Sequence, residues 1–186
     1  MADWEEYAGR SNDVRTVNFG GRTFAVDAPY VAIYSPYFHD LFFGENREVA
    51  ERKQNTLYAY TVGADAFTSF LNYVYPSRTP ITGRKAVSVF PLACLFRVPA
   101  LVKECDDALF ELVKNGELSA YIPLKIAHDY GYLDNCDRYI ALFKDIRDFA
   151  VKNSRPHFVD VKVKAWLFDK FSTMALSLQS ALETVD

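Results

Sequence analysis

Residues 24–44 read FAVDAPYVAIYSPYFHDLFFG, and this stretch decides the fold. It leaves an alternating run and then gives one signal twice. Asp27 stands just before Ala28-Pro29, and Ser35 just before Pro36. A short polar side chain at such a position accepts a hydrogen bond from a first-turn N–H. Proline suits that turn because it has no N–H to leave unpaired. The pattern predicts two short helices in succession, Ala28–Tyr34 and Pro36–Phe43, with Gly44 ending the second.

Upstream, Val14–Phe19 alternates, Gly20-Gly21 follows, and Arg22–Asp27 resumes the run. Two strands around a Gly pair make a tight hairpin, because its turn needs positive φ angles. Downstream, Glu45–Gln54 is charged and loop-like, and Thr56–Val62 has the β-branched and aromatic alternation of a third strand. From Ala64 the period becomes helical, with Phe67, Phe70, Leu71 and Val74 on one stripe. Pro76 and Pro80 enclose a loop. Lys85–Phe96 reads as a helix in which Pro91 should cause a kink or a late start. Leu101, Cys105, Ala108, Leu109 and Leu112 mark another helix, closed by Asn115-Gly116. Three further stripes follow: Ile126, Ala127 and Tyr130; Cys136, Tyr139, Ile140, Phe143, Ile146 and Phe149; and Leu167, Phe171, Met174, Ala175 and Leu178. Strands first and helices after predict an α+β domain with a helical C-terminal extension. The expected organisation is a polar leader over 1–13, a domain over 14–115 and the extension over 116–186.

The chain of 186 residues is 50% hydrophobic and 16% aromatic, enough to bury a core. Its net charge of −3 and the lack of a dense Lys/Arg run argue against nucleic acid as a partner. No apolar run is long enough to cross a bilayer, and no signal-peptide core opens the chain. Cys94, Cys105 and Cys136 are odd in number, widely spaced and on apolar positions, so they read as small buried hydrophobes. That usage fits a reducing compartment, cytoplasmic, nuclear or both.

Nothing in the chain announces chemistry. It contains no G-x-S-x-G, P-loop or G-x-G-x-x-G motif. His39 and His128 each precede an Asp, but neighbours on a helix diverge by about 100° and orient each other poorly. No His or Cys pair has zinc-site spacing. The reading is a non-enzyme with no catalytic residue, no cofactor and no metal.

The order of elements and the local wording together resemble the BTB (POZ) domain. AIYSPYFHDLFFG (32–44) is similar to the family's helix–turn–helix with its Ser-Pro-x-Phe turn. AFTSFLNYVYPSRTPIT (66–82) resembles its hydrophobic helix ending in Tyr-Pro, and PLACLFRVPALVKECDDAL (91–109) the helix pair that follows. GELSAYIPLKIAHDYGYLDNCDRYI (116–140) resembles the start of a BACK-type extension. The whole looks most like the BTB proteins expanded in nematodes, in which a substrate-binding MATH domain often comes first. Here about thirteen residues precede the domain, so the expectation is a BTB domain with a helical tail.

The resemblance implies a three-stranded sheet flanked by helices, a homodimer, and in many members recruitment of Cullin-3 to a ubiquitin ligase. In the family the first helix and the N-terminal segment make the dimer contact. Tyr30, Ile33, Tyr34 and Tyr37 are the candidates there, with Trp4 and Tyr7 packing across. Cullin-3-binding members carry a hydrophobic-x-Glu motif near the end of the second helix. Leu41 takes the hydrophobic place, but Phe43 stands where Glu would be; Phe43-Gly44-Glu45 repeats the pattern two residues on. Tyr75 matches a tyrosine that relatives present to the cullin. Two functions remain open: an adaptor that brings a target, held by the tail or the N-terminus, to Cullin-3, and a dimeric scaffold that assembles a regulatory complex without it.

Overall fold

The computed structural model describes residues 3–44, 62–133, 136–152 and 161–183. The chain divides into two compact units, Met1–Glu111 and Leu112–Asp186.

The first unit opens with a helix, Asp3–Ala8 (α1), where only a polar leader was expected. Strands Val14–Phe19 (β1) and Arg22–Asp27 (β2) then pair antiparallel, with Phe19 opposite Arg22. The turn is therefore two residues long, and Gly20 and Gly21 both hold positive φ. Gly20 has a second reason to be glycine: a Cβ there would lie 2.3 Å from the Ala64 nitrogen. Val17, Phe19, Phe24 and Val26 form the inward face of the hairpin. The described residues hold this two-stranded sheet; the expected third strand, apart from Val62, lies outside them.

Helices Ala28–Tyr34 (α2) and Pro36–Phe43 (α3) start where their caps foretell. Asp27 accepts from the Tyr30 N–H at 2.9 Å. Ser35 serves both helices: its N–H closes α2 on Val31, and its hydroxyl accepts from the Phe38 N–H at 3.3 Å. The same hydroxyl donates to the Phe96 carbonyl at 2.7 Å and ties the α2–α3 corner to the core.

Helix Ala64–Val74 (α4) buries Phe67, Phe70, Leu71 and Val74, its predicted stripe. Helix Lys85–Leu95 (α5) continues through Pro91, which was expected to cause a kink or a late start; the helix starts at Lys85 without delay. Every residue from Val89 to Leu95 is buried, so packing on all sides outweighs the one hydrogen bond that proline removes. The centre is a cluster of phenyl rings. Phe38, Phe67 and Phe70 surround Phe96 at centroid distances of 4.7, 6.0 and 4.8 Å, and Phe24 meets Phe67 edge-on at 4.8 Å. Helix Pro99–Lys114 (α6) contains the unit boundary in its last turns. Glu104 on this helix accepts from the Ile81 N–H at 2.6 Å and fastens the Pro-bounded loop.

The second unit is helical: Tyr121–Tyr130 (α7), Cys136–Ile140 (α8), Ile146–Lys152 (α9) and Val161–Glu183 (α10). The long stripe expected from Cys136 to Phe149 is broken into α8 and α9. Asp145 causes the break, because its Oδ1 accepts from the N–H groups of Arg147 and Asp148, both at 2.8 Å. That is a helix start inside a stripe that periodicity alone joins up.

Candidate protein-interaction surfaces

Two exposed apolar features stand out in the first unit, one on α2 and one at the end of α3. On α2, Ile33 is 78% exposed, the most exposed large apolar side chain described in this unit. Tyr30 and Tyr34 flank it, with ring centroids 5.2 Å apart. Tyr30 stacks on Tyr75 at 5.0 Å, and Tyr7 lies 6.4 Å from Tyr75 on the other side. The Arg78 guanidinium sits over the Tyr34 ring at 5.6 Å and donates to its hydroxyl at 3.3 Å. Burial and the hydrogen bond with Tyr34 push the Tyr30 hydroxyl up to about 12. Hydrogen bonds from Tyr30 and then Arg78 pull Tyr34 below the usual tyrosine range. Tyr34, Tyr30 and Tyr7 are thus linked through ring contacts around α2, the helix that exposes Ile33.

Three residues expected at interfaces lie elsewhere. Trp4 is 3% exposed and packs on Phe24 at 5.7 Å, so it belongs to the core of its own chain. Tyr37 is buried against Phe96 at 5.0 Å, because the Ser35 corner turns the first turn of α3 inward. Tyr75 is 1% exposed, and its hydroxyl accepts from the Asp27 N–H at 2.9 Å. Burial pushes that hydroxyl up to about 12. Tyr75 thus ties the end of β2 to the residue that follows α4.

At the end of α3, Phe38 is buried, Leu41 and Phe42 are half-buried, and Phe43 is 46% exposed. The Arg15 guanidinium lies 4.8 Å from the Phe43 ring centroid, and the His39 ring is 6.1 Å away. Asp40, on the same helix, pairs with Arg97 at the α5–α6 turn, which pins the helix end. Glu45 lies outside the described residues.

Cys94, Cys105 and Cys136 are buried and form no disulfide, and burial raises the Cys94 and Cys105 thiols far above their usual range. His128 does reach Asp129, at 3.4 Å, but Lys125 occupies the same carboxylate. Among the described residues, no three His, Cys, Asp or Glu side chains are grouped to hold a metal ion. Among them, too, no helix is long and apolar enough to cross a membrane.

The described residues thus build a capped helix pair on a hairpin with exposed aromatic surface beside it. The BTB/POZ domain family model matches residues 10–111, and the chain belongs to that family. Members of the family dimerise and bind other proteins, and no catalytic family is indicated. Human Kelch repeat and BTB domain-containing protein 8 is 26% identical over 131 residues, which cover 70% of this chain and 21% of that protein. BTB and MATH domain-containing protein 38 of Caenorhabditis elegans is 23% identical over 151 residues, 78% of this chain and 36% of that protein. Kelch-like protein 40 of Xenopus laevis is 27% identical over 89 residues, 48% of this chain and 14% of that protein. The chain thus spans about a fifth of the length of the first of these relatives. No solved structure gives a significant match.

Proposed function

We propose that this chain is a dimerising BTB adaptor that recruits Cullin-3 to a target for ubiquitylation, in the cytoplasm or nucleus. The observation that carries the reading is the pair of separate exposed apolar features, Ile33 on α2 and Phe43 on α3. One suits a second copy of the chain and the other a different partner. Amphipathic aromatics of the Tyr30–Tyr34 kind are what interfaces favour. Leu41 and Phe43 supply the apolar part of the cullin contact, with Glu45 following in sequence.

The burial of Tyr75 favours a second reading. Without that tyrosine, and with Phe43 in place of a glutamate, the domain would act as a dimeric scaffold that assembles a regulatory complex without Cullin-3.

The test is a titration of the purified protein against the N-terminal domain of Cullin-3, with mass measured by light scattering. A dimer that binds supports the adaptor. A dimer with no binding leaves the scaffold. On the adaptor reading Phe43→Ala weakens binding by about 2 kcal/mol, roughly thirtyfold, while the dimer survives.

A further inference from the structure

Arg15 lies on β1, opposite Val26, on the side of the strand that also carries Val17 and Phe19. An arginine on that face needs partners, and this one has them on all three nitrogens. Nε and Nη2 donate to the two carboxylate oxygens of Asp13 at 3.0 and 3.1 Å. Nη1 donates to the Phe42 carbonyl at 2.6 Å. That carbonyl is in the last turn of α3, where helical acceptors run out of helical donors. With its fork so fixed, the guanidinium stands 5.5 Å from the Phe42 ring centroid and 4.8 Å from that of Phe43.

The arrangement is more specific than a charge near an aromatic ring. Asp13 orients the guanidinium, the helix end receives it, and the Phe43 ring lies within its reach. A lysine could keep the charge but not the two-oxygen fork on Asp13 together with the carbonyl bond. A large side chain at a helix end otherwise samples several rotamers, and ordering it on binding costs affinity.

We propose that Arg15 is the positioning residue that holds the Phe43 ring ready as the anchor of the α3 surface; what the ring anchors rests on the adaptor reading. Arg15 touches no partner in this scheme. It acts through Phe43 alone, and the experiment turns on that dependence.

The experiment is a double-mutant cycle on the full chain, with Arg15→Lys, Phe43→Ala and the pair. Binding to the N-terminal domain of Cullin-3 is titrated, and the dimer mass is recorded for each. Asp13→Asn is the milder companion, since it loosens the fork without touching the arginine. Arg15→Lys should weaken binding about three- to tenfold, the range for losing one pre-ordered side chain. In the Phe43→Ala background it should have no further effect. Wild-type affinity in Arg15→Lys, or the same weakening with and without Phe43, overturns the proposal. The proton chemical shifts of the Arg15 δ-methylene supply a readout that needs no partner. The Phe43 ring should move them, and Phe43→Ala should bring them back toward free arginine. If the wild type binds no Cullin-3 but these shifts respond, the adaptor reading falls and the positioning role stands. If Phe43→Ala leaves the shifts unchanged, the positioning role falls whatever Cullin-3 does.

Discussion

Ser35→Ala should cost this protein far more than a serine-to-alanine change on a surface. The hydroxyl is completely buried and does two jobs. It accepts from the N–H of Phe38, the third residue of α3, and loss of such a cap costs about 1 kcal/mol. Pro36 has no N–H, so α3 leans more heavily on the cap that remains. The hydroxyl also donates to the Phe96 carbonyl, and a buried acceptor left without its donor costs about 1–3 kcal/mol more. The two losses are at opposite ends of one oxygen and fall together, for about 2–4 kcal/mol in all. Urea unfolding, followed by far-ultraviolet circular dichroism at equal protein concentrations, reads this directly. With a slope near 2 kcal/mol per molar urea, the midpoint should drop by about 1–2 M at unchanged slope. A drop below about 0.3 M would refute the reasoning, since it would mean that neither bond contributes net stability. Ser35→Thr keeps the hydroxyl and separates loss of the bonds from loss of fit.

Other outcomes follow from the same geometry. Ile33→Asp should reduce the scattering mass to that of one 21.2 kDa chain, while the single chain's own stability changes by no more than about 0.5 kcal/mol; a clean dimer would remove α2 from the interface. Gly20→Ala should lower thermal stability more than Gly21→Ala, by at least about 1 kcal/mol, because both turn residues pay the left-handed penalty but only Gly20 also meets Ala64. Equal melting temperatures would show that the hairpin can lift away freely. Tyr75 and Tyr30 stay protonated in the folded chain up to about 12, whereas unfolded tyrosine ionises near 10. The unfolded state therefore binds fewer protons between those values, so stability present below pH 10 is lost as pH rises toward 12. Absorbance at 295 nm should show late-titrating phenols, with one fewer in Tyr75→Phe.

What could be read from sequence was local chemistry. Gly20-Gly21, Asp27 before Ala28-Pro29, and Ser35 before Pro36 name their turns and caps without help from distant residues. The phenylalanine stripe of α4 was equally plain, because burial follows from period. The misreadings share a cause, which is contact between residues far apart in the chain. Trp4 looked like part of a polar leader because its partner, Phe24, is on the second strand. Tyr37 looked like a neighbour of Tyr34, but the Ser35 corner separates their faces. Tyr75 looked available until the Asp27 N–H was found on its hydroxyl. Pro91 looked like a breaker because its burial on all sides is a tertiary fact. At the α3 surface Phe43 was singled out as standing where the motif has Glu; Arg15, 28 positions earlier by numbering, left no signal beyond its being a charge on a strand.

The burial of Trp4 gives this protein a pair of internal optical reporters. The chain has two tryptophans, and they fall one to each compact unit: Trp4 beside Phe24, and Trp166 with its ring 5.4 Å from that of His128. Trp166→Phe would leave emission that reports on the first unit alone, and Trp4→Phe on the second alone. Whether the two units melt as one or in turn could then be followed by fluorescence, with no dye attached.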